Sequence, residues 1–170
     1  MPIEETGKER EDEKMSPEMS VALRRAYPPD AEGIREMVNK YAARGLMLPR
    51  SLSSIYERIR DFRVLAAGDR IVGCAALQVC WEDIAEIRTL AVAEDIREKG
   101  WGRALVEDCF RDAADLKIPR VFTLSFSPEF FLQLGFSEIS KESLPQKIWK
   151  DCIYCPHFPD CKEVALVRDT

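Results

Sequence analysis

The run "EIRTLAVAEDIREKGWGRALVEDCF", residues 86–110, reads as strand, glycine turn and helix, and it organises the chain around it. Residues 86–92 have the composition of a strand. A helix is expected over residues 102–116, with Leu105, Cys109 and Leu116 on one stripe and Val106, Phe110 and Ala113 beside it. Between them lies Arg97-x-x-Gly100-x-Gly102. A turn of this kind leaves backbone N–H groups free at the positive end of a helix dipole, which makes an anion site suited to phosphate. Gly100 and Gly102 remove side chains that would block close approach, and Arg97, Lys99 and Arg103 add positive charge. Read alone, the same residues also fit a tight turn with solvated basic side chains.

Upstream, residues 21–26 read as a strand and residues 28–45 as a helix opened by Pro28-Pro29-Asp30. Ile34, Met37, Val38 and Tyr41 recur at helical spacing, and Gly45 marks a stop. Ser51 caps a second helix ending near residue 60. Strands 63–67 and 70–81 are joined across Gly68-Asp69, a hairpin signal. Downstream come a strand (120–126), a short helix ended by Gly135, a strand (136–140), a helix (145–150) and a last strand (164–169). Early hairpin strands with a βαβ unit in the middle predict an α/β fold: a mixed sheet with helices on both faces.

The chain has 170 residues, 46% of them hydrophobic, enough for one domain with its own core. Its net charge of −5 is unevenly placed. Residues 1–18 carry seven acids against three bases, which leaves the remainder near −1. This acidic stretch has too few apolar residues to repay its ordering entropy and is expected to be disordered, with the domain running over residues 19–170. A nearly neutral folded part offers no basic face for nucleic acid. No apolar run is long enough to span a membrane, and the acidic N-terminus is unlike a signal peptide, so a cytoplasmic chain is expected.

Arg97-x-x-Gly100-x-Gly102 after "EIRTLAV" resembles the acetyl-CoA pyrophosphate loop of the GNAT superfamily of N-acetyltransferases. "EFFLQLGF" (129–136) resembles that superfamily's helix after the fifth strand, and the order of elements agrees. The resemblance implies a GNAT-type mixed, mostly antiparallel sheet and acetyl-CoA as co-substrate. It implies that Leu90, Ala91 and Val92 offer backbone groups to the pantetheine arm. Arg97, Glu98, Lys99, Gly100, Trp101, Gly102 and Arg103 would cradle the pyrophosphate. Relatives often dimerise, which makes a homodimer an expectation.

A narrower likeness is to the acetyltransferase domain of short bacterial N-acetylglutamate synthases. It is carried by "LPRS" (48–51), "EIRTLAV" (86–92), "VFTLSFSPEFFLQLGF" (121–136) and "IWKDCIYCPHFPDC" (148–161). It implies glutamate as acceptor, at the head of arginine biosynthesis. Another small or protein amine, or a weakly catalytic acyl-CoA-binding partner, are the alternatives. The chemistry has its own demands. The amine must lose a proton, the tetrahedral oxyanion needs donors, and a thiolate must leave. Glu86, on a central strand where an unused charge is costly, is the candidate base, acting through water. Arg88, two residues on, shares its face. Arginines suit a substrate with two carboxylates, which makes Arg50 and Arg88 the candidate substrate-binding residues. Many GNAT enzymes place a general-acid tyrosine where this chain has Phe131. Ser127 is then a candidate donor, or simply a helix cap.

Six cysteines in a cytosolic chain default to thiols or metal ligands. Cys74, Cys80 and Cys109 lie in apolar patterns and belong to the core. Cys152-x-x-Cys155-x-His157-x-x-x-Cys161 holds the only histidine. A Cys-x-x-Cys half-site suits zinc, but ten residues stiffened by Pro156 and Pro159 are short for a tetrahedral wrap. Zinc, packed thiols and a redox pair all remain readings, and the transfer chemistry itself requires no metal.

Overall fold

The computed structural model describes residues 20–170 apart from Pro156 and the side chains of Gln146, Lys147, Lys150 and Asp151. The acidic stretch 1–18 lies outside the described residues. The elements run β1 (Val21–Arg25), α1 (Ala31–Ala42), α2 (Leu52–Glu57), β2 (Phe62–Ala67), β3 (Arg70–Trp81) and β4 (Ile84–Val92). There follow α3 (Trp101–Asp115), β5 (Arg120–Ser125), α4 (Pro128–Leu132), β6 (Ser137–Ile139), α5 (Gln146–Ile153) and β7 (Val164–Asp169). Short 3-10 turns, among them Pro28–Asp30 and Glu94–Ile96, lead into α1 and the glycine turn. Ser51 caps α2 as expected, its hydroxyl accepting from the Ser54 amide at 3.2 Å.

One seven-stranded sheet has the order β1-β2-β3-β4-β5-β7-β6. Every neighbouring pair is antiparallel except β4–β5, which is parallel and bridged by α3. That is the mixed, mostly antiparallel sheet expected. A parallel pair needs a crossover, and the α3 stripe of Leu105, Val106, Cys109, Phe110 and Ala113 is buried to make one. β2 is buried at every position, and β3 from Ile71 to Leu77. Unbroken burial of that kind requires cover on both faces, and α1 and α3 both pack on β3. A second cluster, Ile84, Phe122 and Ala165 with Leu144 and Ile148, seats α5 on the other half of the sheet.

Two irregularities position the site. β4 pairs with β5 only at Ile84, Ala85 and Glu86, whose partners are Arg120, Val121 and Phe122. Beyond that point the two strands part: β4 continues against β3, and β5 against β7. Thr123 stands at the parting and donates its hydroxyl to the Ile87 carbonyl at 2.9 Å. The second irregularity is a bulge. Ala76 pairs with Thr89 and Leu77 with Ile87, so Arg88 is the extra residue.

α5 runs to Ile153, further than the sequence pattern suggests, and therefore carries Cys152 on its last turn rather than in a loop. None of the described helices is long and apolar enough to cross a membrane.

Candidate active site

The parted edges of β4 and β5 open a cavity of about 980 Å³. It reaches from the glycine turn to the C-terminal end of α5. Of the residues the sequence singles out, Arg50, Glu86, Arg88, Leu90, Ala91, Val92 and Ser127 line it. So do Arg97, Glu98, Gly100, Trp101, Gly102 and Arg103. Lys99 does not; its side chain is exposed outside the cavity.

The turn is built from left-handed backbone. Gly100, the N-cap of α3, has φ +81°, and Glu98 has φ +66°. Left-handed residues on both sides of Lys99 give a backbone that can turn successive N–H groups toward one side, as an anion-binding nest requires. Among the described residues, none of the amides from Glu98 to Arg103 donates to a backbone carbonyl. The two glycines serve different ends. A Cβ at Gly100 would meet nothing within 4 Å, so its dihedral is what demands glycine. At Gly102 a Cβ would lie 3.2 Å from Phe130 Cζ, so this position makes room for the α4 ring beneath it. The rim is tied down by Tyr41, whose hydroxyl donates to the Val92 carbonyl at 2.6 Å. The Arg97 guanidinium lies over the Tyr41 ring, 5.2 Å from its centroid. Tyr41 reads in the sequence only as a core position of α1.

Glu86 is 9% exposed and stands between Gln78 of β3 and Phe122 of β5. Arg88 donates from Nη1 to Gln78 Oε1 at 3.0 Å. Because Gln78 is directly opposite Glu86, this bond keeps Arg88 on the Glu86 side despite the bulge. Arg50 reaches the cavity from the α1–α2 connection, and Asn39 holds it there. The Asn39 amide donates to the Arg50 carbonyl at 3.1 Å and accepts from its N–H at 2.9 Å. Arg50 Nη2 also approaches Thr89 Oγ1 at 3.4 Å. Asn39 and Gln78 carry no motif, which is why they go unnoticed in the sequence.

Ser127 occupies the N-cap position of α4, but its side chain makes no capping bond. Its N–H donates to Ser125 Oγ at 3.0 Å, and both serines border the cavity. Phe131 is 5% exposed, packed edge-on against Phe130 and Phe136 at 5.1 and 5.2 Å between centroids. The position where the family resemblance leads one to look for a tyrosine is thus a phenyl ring that packs in the core and borders the cavity.

Cys152, Cys155, Cys161 and Glu163 also line the cavity. His157 instead packs against the Phe126 ring, 5.8 Å between centroids. Among the described residues no group of three or more His, Cys, Asp and Glu is arranged to hold a metal ion.

Open backbone amides beside two unpaired strand edges suit a phosphate-bearing chain. The GNAT-domain acetyltransferase family model matches residues 58–138. An uncharacterized N-acetyltransferase of Chlorobaculum tepidum is 41% identical over 152 residues, covering 89% of this chain and 98% of that one. The amino-acid acetyltransferase of Mycobacterium tuberculosis is 36% identical over 132 residues, 76% of this chain and 75% of its own length. The N-acetylglutamate synthase of Neisseria gonorrhoeae, solved with coenzyme A and N-acetyl-glutamate, superimposes with a TM-score of 0.81 at 29% identity. That match takes in 88% of this chain and 35% of the synthase, so the chain spans about a third of that enzyme. The chain belongs to the GNAT family of acetyltransferases. It is an acyltransferase of the acetyl-CoA-using type.

Proposed function

We propose that the chain transfers the acetyl group of acetyl-CoA to the α-amino group of L-glutamate, the opening step of arginine biosynthesis. The observation that carries this reading is the meeting of Arg50, Arg88 and the buried Glu86 in one cavity with the glycine turn. Glutamate brings two carboxylates and one ammonium, and two guanidiniums with one carboxylate complement it. The synthase structure with N-acetyl-glutamate supports the same acceptor, and the amino-acid acetyltransferase relative supports an amino acid in that place.

In this reading the amides from Glu98 to Arg103, with Arg97 and Arg103, hold the pyrophosphate. The edge of β4 at Leu90, Ala91 and Val92 pairs with the pantetheine amides. Arg50 and Arg88 bind the two carboxylates and aim the amine at the thioester carbon. Glu86 takes the ammonium proton through water, freeing the lone pair for attack. Collapse of the tetrahedral intermediate then expels the thiolate. Ser127 is the hydroxyl we assign to protonate it, because Phe131 cannot.

A coupled assay of thiol release over a panel of amino acids tests the reading. Glutamate should release free coenzyme A well above buffer. Release with another acceptor and none with glutamate would overturn the assignment.

A further inference from the structure

Three cysteines in the α5–β7 region have no part in the transfer chemistry, yet Cys152, Cys155 and Cys161 all border the cavity that holds Glu86. They differ from the core thiols. Cys74 and Cys109 are wholly buried, and burial pushes both thiols up to about 12. Cys152, Cys155 and Cys161 carry no disulfide and are only half-buried, and Cys80 of β3, expected in the core, is half-buried too because its end of the strand lies at the surface.

Their placement favours bond formation between them. The Cys155 N–H donates to the Cys152 carbonyl at 3.0 Å. A turn closed in this way holds its end Cα atoms within about 7 Å, and a disulfide spans about 4.4–6.8 Å between Cα atoms. Cys161 returns to the same wall. Its Sγ donates to Glu163 Oε2 at 3.5 Å, and its carbonyl accepts from Lys141 Nζ at 3.1 Å. Burial raises the Cys152 thiol, and the charges of Cys161, Cys155, Glu163 and Glu86 raise it further.

We propose that Cys152, Cys155 and Cys161 form a thiol-modification site in the wall of the acetyl-transfer cavity. There a small disulfide oxidant joins Cys152 to one of its two neighbours. One protein thiolate attacks a sulfur of the oxidant and expels a small thiolate, leaving a mixed disulfide. A second protein thiolate then displaces the other half of the oxidant. Two protein thiols give up two protons and two electrons, and the oxidant is reduced to two thiols. The third cysteine can move the bond by exchange without further oxidant. Bringing two sulfurs to bonding distance, about 2 Å, displaces the cavity wall and slows acetyl transfer. That effect on rate rests on the acyltransferase reading of the cavity; the bond itself does not.

The test uses the full chain with oxidised glutathione, followed by alkylation, digestion and mass mapping. Titratable thiols should fall from six to four. The new bond should map to Cys152 with Cys155 or Cys161. Release of coenzyme A, with whichever acceptor is turned over, should fall roughly ten-fold and return with dithiothreitol. Cys152→Ser should keep its activity and lose this sensitivity, and Cys152→Ala serves the same purpose if the serine variant folds poorly. The proposal is overturned if all six thiols persist, if only glutathione adducts form, or if the bond involves Cys74, Cys80 or Cys109. It is equally overturned if chelator-free protein carries one zinc that shields these thiols, or if the bond forms and the rate is unchanged. Thiol mapping reads out whether or not glutamate is an acceptor, so failure of the glutamate assignment would show separately.

Discussion

Glu86 is a carboxylate in the middle of a sheet, and such a group persists only where it is paired or used. Its replacement by glutamine keeps the shape and removes the proton acceptor. Glu86→Gln should lower kcat by roughly 10²–10⁴-fold, the usual contribution of a general base, with coenzyme A affinity unchanged by calorimetry. Unchanged turnover would remove Glu86 as base. In the proposed function Arg50 binds the acceptor, and its backbone is held by both polar atoms of Asn39. Arg50→Ala should raise the acceptor KM by about 10–100-fold, the worth of a hydrogen bond to a charged group, while the KM for acetyl-CoA stays within about two-fold. An equal rise in both would place Arg50 outside acceptor binding. Both residues stand out in the sequence, Glu86 as a charge in a strand and Arg50 through its motif. Their partners Gln78 and Asn39 do not, because a neutral amide in a strand or helix has no pattern that marks what it will touch.

The elements are held in register by charge as well as by apolar packing. Arg63 of β2 is 4% exposed and pairs with two carboxylates of α3, Asp108 and Asp112, at 2.8 Å each. Removing one leaves the other in place, so the cost is less than that of stranding a buried charge outright. Asp112→Ala should destabilise the fold by about 1–3 kcal/mol, read from urea midpoints at constant slope. At the start of α1, Asp30 takes a two-pronged hydrogen bond from Arg24 of β1. This bond holds the Asp30 carboxyl below its ordinary range. Stability from a depressed carboxylate is present above the ordinary aspartate value, about 3.9, and is lost as pH falls through the lower folded value. Asp30→Asn should therefore lose stability near neutrality, and its gap from the parent should narrow as the solution is acidified below about pH 4. A gap independent of pH would assign Asp30 a purely steric role. The helix edges follow the same local logic: Ser51 starts α2 where the sequence suggests, and α3 starts at Trp101, one residue before the expected position. α5 overran its expected end because its last turn reads as the opening of the cysteine run.

At the scale of the molecule, the parting of β4 from β5 leaves one sheet in two halves, joined by three residue pairs and the Thr123 bond. A ligand bound between them binds the folded chain alone. Coenzyme A at about a hundred times its Kd should add about 2.7 kcal/mol, a rise of roughly 5–10 °C in Tm for a chain of this size. No shift at saturation would separate the cavity from the cofactor. The amino-acid sequence by itself determined the strand–glycine turn–helix unit, the list and order of elements, and the N–H groups left open at the turn. These follow from backbone stereochemistry and side-chain periodicity, which act over a few residues. Tertiary structure alone decided that β4 and β5 separate after Glu86, that Arg88 is bulged out of β4, and that Gly102 clears a path for Phe130. It also brought Arg50, Ser127 and three cysteines to the cavity of Glu86. Those outcomes depend on which strands become neighbours and where their pairing ends. That is settled by packing between segments far apart in the chain, and a local pattern cannot record it.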